Sequence, residues 1–138
     1  MSLLYLLDAD VVSEPLRPAP RLDVVRKLHR HRNDVAIASV VWHELRYGME
    51  LLPSSRRRST IEDYLENVVL ATMTILDYDS TAADWHARER ARLHRQGLTR
   101  PFADGQIAAV ARTRDLTLVT FNVKDFKRFD NLRIVTWG

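Results

Sequence analysis

No cysteine occurs in the 138 residues, which excludes disulfides and thiolate zinc sites and is in keeping with a reducing cytosol. No apolar run approaches the ~18 residues of a membrane span, and the N-terminus lacks a signal-peptide layout. A soluble, cytoplasmic protein with no membrane partner is the expectation. Linkers, internal repeats and low-complexity tracts are missing as well. What remains is 46% apolar. A chain of this size buries roughly 68% of its unfolded surface, enough for one core, so a single domain over residues 1–138 is expected.

The net charge is only +3, but the basic residues are bunched into RKLHRHR (Arg26 to Arg32), RRR (Arg56 to Arg58) and RERARLHR (Arg88 to Arg95). Dense patches on a modest total attract polyanions. Taken singly, each also reads as the solvated face of a helix.

Apolar runs of strand length alternate with segments of helical period. LLYLLDA, Val35 to Ser39, Thr74 to Tyr78, Leu116 to Phe121 and Leu132 to Trp137 are short and rich in apolar, β-branched or aromatic residues. Between them, Asp23 to Arg30, Val41 to Leu52, Ser59 to Ala71, Thr81 to Arg95 and Pro101 to Arg112 carry helical marks, with a break at Pro53, Ser54 and Ser55 and a stop at Gly97. Strand alternating with helix predicts a parallel sheet covered on both faces, an α/β class in three α/β/α layers.

Against that frame, LYLLDADVV is odd, because Asp8 and Asp10 sit inside a run otherwise suited to the core. An unpaired carboxylate is costly to bury and Asp is a poor strand former. The conflict lifts if Leu3 to Leu7 is the strand and Asp8 emerges at its carboxyl end, where open α/β sheets bind ligands. Asp10 then leans to the same side, provided the chain stays extended. A turn or helix cap is the plain alternative for Asp8.

Asp8 has company. In SVVWHELRYGMELL, Glu44 has Val40, Val41, Tyr47, Gly48 and Leu51 at helical spacing, which puts it on an apolar face. Gly48 suggests a close backbone approach there. HELRY has Tyr47 where a zinc protease needs its second histidine, so that motif is absent. In RPFADGQIAAVART, Asp104 shares a face with Ile107, Ala108 and Ala111, as a dipole partner at a helix start or as a group aimed into the crevice. LVTFNVKDF brings Asn122 and Asp125 to the end of another strand. Converging carboxylates repel and are driven toward protonation. A divalent cation relieves that, and an oxygen-only donor set points to Mg²⁺ or Mn²⁺.

Read together, LLDADVVSEPLR, the Glu44 of SVVWHELRYG, ADGQIAA and LVTFNVKDF resemble a PIN domain, and more narrowly the VapC toxins of bacterial type II toxin–antitoxin modules in the branch typified by FitB. The resemblance spans essentially the whole chain. It implies a PIN-like fold with a central parallel sheet of about five strands, and a Mg²⁺- or Mn²⁺-dependent endoribonuclease that leaves a 5′-phosphate and a 3′-hydroxyl. Asp8, Glu44 and Asp104 match the family's acidic metal ligands, and Asn122 its fourth site. Two positions depart from the pattern: Asp10 stands where relatives carry an amide, and Phe121 where they carry Arg.

In supporting roles stand Asp10, Asp125 and Thr120, whose hydroxyl would orient water or a carboxylate, although β-branched residues also simply fill strands. Arg46, Arg88 and Arg92 are candidates for holding RNA, for which structured RNA such as tRNA is the implied target. The implied partners are a cognate VapB/FitA-like antitoxin, operator DNA only through that antitoxin, and a second copy in a homodimer. An apolar stripe, Ile61, Tyr64, Leu65, Val68 and Val69, reads as core by default and as part of the antitoxin groove by resemblance.

Two rivals come from other classes. A haloacid dehalogenase-like phosphatase also opens on an apolar strand delivering Asp-x-Asp, but needs a later Lys and then an acidic pair near the C-terminal part of the fold; Asp104 precedes the LVT strand, and no such pair follows. A non-catalytic subunit acting within a DNA-bound autoregulatory complex would need no working carboxylates.

Overall fold

The structure, a computed structural model, describes residues 2–138. Five strands, β1 (Tyr5–Leu7), β2 (Val35–Ala38), β3 (Thr74–Leu76), β4 (Thr117–Val119) and β5 (Ile134–Val135), form one sheet in the order β3-β2-β1-β4-β5. Every pairing is parallel, with Leu6 opposite Ala36 on one side and Leu118 on the other. The α/β expectation is met, with strands shorter than their apolar runs.

Helices α1 (Ala9–Ser13), α2 (Leu22–Arg30), α3 (Ser39–Glu50), α4 (Arg56–Tyr64), α5 (Ser80–Arg95), α6 (Phe102–Thr113) and α7 (Val123–Phe126) fill the connections. Ser55 caps α4 by accepting from the Arg58 N–H, and Asp79 caps α5 by accepting from the Ala82 N–H. Gly97, at φ 74°, ends α5 in the left-handed region that glycine enters without steric cost. The stretch expected as one helix to Ala71 changes to a π-helix at Leu65–Leu70. There Leu65 and Val69 enter the core while Val68 and Leu70 face out.

The core is built from both sheet faces. Leu6, Leu7, Ala36, Ile37, Leu118 and Val119 are fully buried, under Val41 of α3 and the run Ile107 to Ala111 of α6. Small residues on α6 let it lie close: a Cβ on Gly105 would stand 2.0 Å from Nε2 of His86 on α5. Gly48 is the opposite case. A Cβ there meets nothing within 4 Å, so the close approach expected at Gly48 does not occur.

The chain visits β1, β2 and β3 on one side and then crosses to β4 and β5, so strand order reverses between β1 and β4. A crevice is expected at the carboxyl edge of that pair.

Candidate active site

Asp8 stands at that edge. Its N–H still donates to the Val119 carbonyl at 2.9 Å, but β1 has ended, and Asp8 is the N-cap of α1, with Oδ1 accepting from the Ala9 N–H at 2.9 Å. The cap and the functional reading are thus not alternatives for this residue. The chain does not stay extended: α1 begins at Ala9, and Asp10 lies in its first turn. Asp10 nonetheless remains near enough to raise the pKa of both Asp8 and Glu44.

Behind Asp8, the fully buried Thr120 donates its hydroxyl to Asp8 Oδ2 at 2.8 Å and accepts from the Asn122 N–H at 3.0 Å. Packing is therefore only part of what Thr120 does. Accepting from Asn122 leaves its proton for Asp8, which fixes the carboxylate's orientation. Asn122, exposed at the start of α7, also reaches Asp10 Oδ2 through Nδ2 at 3.4 Å. Asp125, also on α7, lies near enough to raise Asp8 and Asp104.

Glu44 projects from α3, whose first residue follows β2 directly. Burial raises its pKa most, then the charges of Asp8, Asp104 and Asp10. Asp104 is in the first turn of α6, where the helix dipole alone favours ionisation. Its pKa is instead pushed up to about 6, by burial first and then by Asp8 and Asp125, against a downward pull from Arg100. Burial and the neighbouring acids thus set the direction there. Burial likewise leads in raising Asp8, with the Thr120 and Ala9 hydrogen bonds opposing it.

The structure thus brings Asp8, Glu44, Asp104, Asp10, Asp125, Thr120 and Asn122 to one edge of the sheet. Among the described residues, no three acidic or histidine side chains already converge at ion-binding spacing. The donors nonetheless suit a hard cation in kind: Asp8, buried, and Glu44 and Asp104, half-buried, offer only carboxylate oxygens, with two further acids beside them.

The expected arginines are placed differently. Arg46 follows Glu44 by two residues, about 200° around the helix, and pairs with Glu66 at 3.5 Å and Glu50 at 3.9 Å. Arg88 is exposed and shares a face of α5 with Trp85 and Arg92. Arg92 gives Nε and Nη2 to Glu89 and donates to the Arg128 carbonyl at 2.8 Å, tying α5 to the loop after α7. Sequence reading missed Arg100, four residues before Asp104. A cation just before the helix that carries a candidate ligand is the signal that would have found it.

The PIN domain model matches residues 5–132. The chain belongs to the PIN-domain family. Among curated relatives of this PIN domain, the toxin FitB of Neisseria gonorrhoeae is 34% identical over 126 residues, covering 89% of this chain and 91% of the relative. The tRNA(fMet)-specific endonuclease VapC of Shigella flexneri is 32% identical over 137 residues, covering 99% of each. Among solved structures, FitAB bound to an IR36 DNA fragment superposes with a TM-score of 0.89 at 30% identity, over 98% of this chain and 96% of that one. A phosphatase of the haloacid dehalogenase type is set aside by this membership.

Proposed function

We propose that this PIN domain is a metal-dependent endoribonuclease of the toxin class, acting through Asp8, Glu44 and Asp104 with Mg²⁺ or Mn²⁺. The observation that carries the reading is the set of three partly or wholly buried carboxylates at one sheet edge, each raised by burial first and then by neighbouring acids, Asp8 acting on both Glu44 and Asp104, since such groups gain most from a cation. Relatives named as a toxin and as a tRNA(fMet)-specific endonuclease support it.

When bound, the ion supplies Lewis acidity, making water a better nucleophile at neutral pH and offsetting charge on the phosphoryl oxygens. Asp8, Glu44 and Asp104 would hold it. Thr120 orients Asp8 from behind, and the Asn122 N–H fixes Thr120. Asp10 and Asp125 add charge at the rim.

A cognate antitoxin of the VapB/FitA kind, with operator DNA reached through it, is the partner reading. A solved relative, FitAB, was captured on a DNA fragment. Exposed apolar side chains, Tyr47 on α3 and Leu51 just after it with Val68 and Leu70 on the π-helix, give such a partner a surface. Homodimer formation belongs to the same reading.

The deciding experiment incubates purified chain with labelled total RNA, with and without Mn²⁺, beside Asp8→Asn and Glu44→Gln. Metal-dependent cleavage lost in both variants is expected, a loss of at least about a thousandfold, or ~4 kcal/mol in the barrier. Equal cleavage by the variants would overturn the site. An inert subunit would cleave nothing and cause no growth arrest when expressed without its partner.

A further inference from the structure

A cavity of about 470 Å³ lies between the C-terminal half of α5, the 98–101 loop and the first turn of α6. Its size is that of a ligand pocket. From the contact of His86 with Gly105, α5 runs on to Arg95, whereas α6 extends back only to Phe102, so the overhang of α5 opens at the same end of α6 as Asp104. None of the candidate carboxylates lines it.

Its charged lining is made of arginine. Arg90, His94, Arg95 and Arg100 line the cavity with no Asp or Glu among them. Among the described residues, none of these three arginines is in an ion pair. Arg90 lies 5.1 Å over the Phe102 ring, and the Nε of Arg100 is buried with no hydrogen-bond partner. Leu93, Leu98, Pro101 and Phe129 supply an apolar wall. Guanidinium groups free of ion pairs beside an apolar wall suit a nucleotide, phosphate on the fork of Arg and base on carbon.

We propose that this cavity receives one nucleotide of the RNA strand beside the phosphodiester being cut, its phosphate on Arg90, Arg95 and Arg100 and its base against Leu93, Leu98 and Phe129. The proposal rests on the nuclease reading. Closeness of Arg100 to Asp104 favours a strand that spans both places over an acidic peptide. It also changes which face of α5 meets RNA, from that of Arg88 and Arg92 to that of Arg90 and His94.

The test separates binding from cleavage. Binding of a fluorescein-labelled, random-sequence single-stranded RNA is followed by anisotropy in EDTA, for wild type, Arg90→Ala, Arg100→Ala and Ala91→Trp. The last fills the cavity from an exposed lining position and leaves the charge unchanged. Each variant is expected to weaken binding about tenfold, the loss of a charge-assisted contact or of its room. Only the arginine variants should flatten the salt dependence, by about 0.7 per lost contact. Hydrolysis of bis-p-nitrophenyl phosphate with Mn²⁺, which has no neighbouring nucleotide, should be unchanged in Arg90→Ala and Ala91→Trp, neither of which is a partner of the carboxylates, and lost in Glu44→Gln.

Unchanged RNA binding in folded Arg90→Ala and Arg100→Ala overturns the pocket. So does normal binding by Ala91→Trp, which would reduce the arginines to surface charge. Variants that keep RNA but release the antitoxin assign the cavity to a protein and also overturn it. If wild type cleaves neither RNA nor the small diester, yet RNA binding still needs these arginines, the nuclease reading falls and the pocket stands.

Discussion

Asp8 and Glu89 are buried to almost the same degree, 8% and 7% exposed, yet their carboxyls are driven in opposite directions. Glu89 is held below its ordinary pKa, chiefly by hydrogen bonds from Arg92 at 2.8 and 2.9 Å, with the Asp130 N–H at 2.7 Å helping. Asp8 has only neutral donors, the Thr120 hydroxyl and the Ala9 N–H, and acids for neighbours, and it is raised. Depth therefore does not decide what a buried acid does here. A guanidinium makes one carboxylate a structural tie, and the lack of one leaves the other available to a cation.

The largest effect is expected from giving the Asp8 cluster the guanidinium it lacks. Asn122 already reaches Asp10 and, through Thr120, Asp8. Asn122→Arg should pair with these acids, stabilise the metal-free fold, and lower RNA cleavage at least about a hundredfold, ~2.7 kcal/mol in the barrier. Raised thermal stability with undiminished cleavage would separate charge relief from function and undo the contrast.

The converse change makes Glu89 resemble Asp8. Arg92→Ala leaves a buried carboxylate with one backbone donor and frees the Arg128 carbonyl. A loss of about 2 kcal/mol in urea denaturation is expected, discounted because Arg92 is partly exposed. Arg92→Lys should recover little, since an ammonium cannot reproduce the two-pronged contact. A milder change is Thr120→Val, which keeps the shape but removes the donor to Asp8 Oδ2. It should cost about 1 kcal/mol. Because that hydrogen bond lowers the Asp8 pKa, the rising limb of the cleavage pH profile should also move to higher pH, and Thr120→Ser should restore it.

Much of this contrast was legible from residue types alone, and the limits were local. Asp8, Glu44 and Asp104 stood out because each interrupts an apolar pattern that the parallel sheet and its helices explain. Glu89 did not, because in RERARLHR it looks like one more charge on a solvated helix, and only the loop after α7 packing over it removes the solvent. Asp10 was judged on an extended chain because α1, five residues long, leaves no periodicity to detect. The close approach expected at Gly48 occurs at Gly105 instead, for a related reason. A glycine's need for space is set by what packs opposite it, and the partner of Gly105 is His86, nineteen residues upstream on another helix.

The smallest expected effect concerns pH, and its sign follows from the direction of the shift. Asp104 has its carboxyl raised from 3.8 to about 6 in the metal-free chain, so between those values the folded state holds a proton that the unfolded chain has released. The contribution of Asp104 to stability is therefore greatest below about pH 4, falls as pH rises toward 6, and levels off above. Asp8 and Glu44, raised by the same causes, add to the same slope. Asp104→Asn should flatten part of it and, in EDTA at pH 7.5, unfold slightly above wild type, by under about 1 kcal/mol after solvent screening. Adding Mn²⁺ should raise the wild-type midpoint more than that of the variant, because a cation rewards the charge that burial penalises. Melting curves at pH 4, 6 and 7.5, with EDTA and with Mn²⁺, read the sign directly. A wild type that gains more stability from pH 4 to 6 without metal than Asp104→Asn does, and no more than that variant from Mn²⁺, would mean that Asp104 behaves like Glu89, a carboxylate held in its charged form by the fold itself.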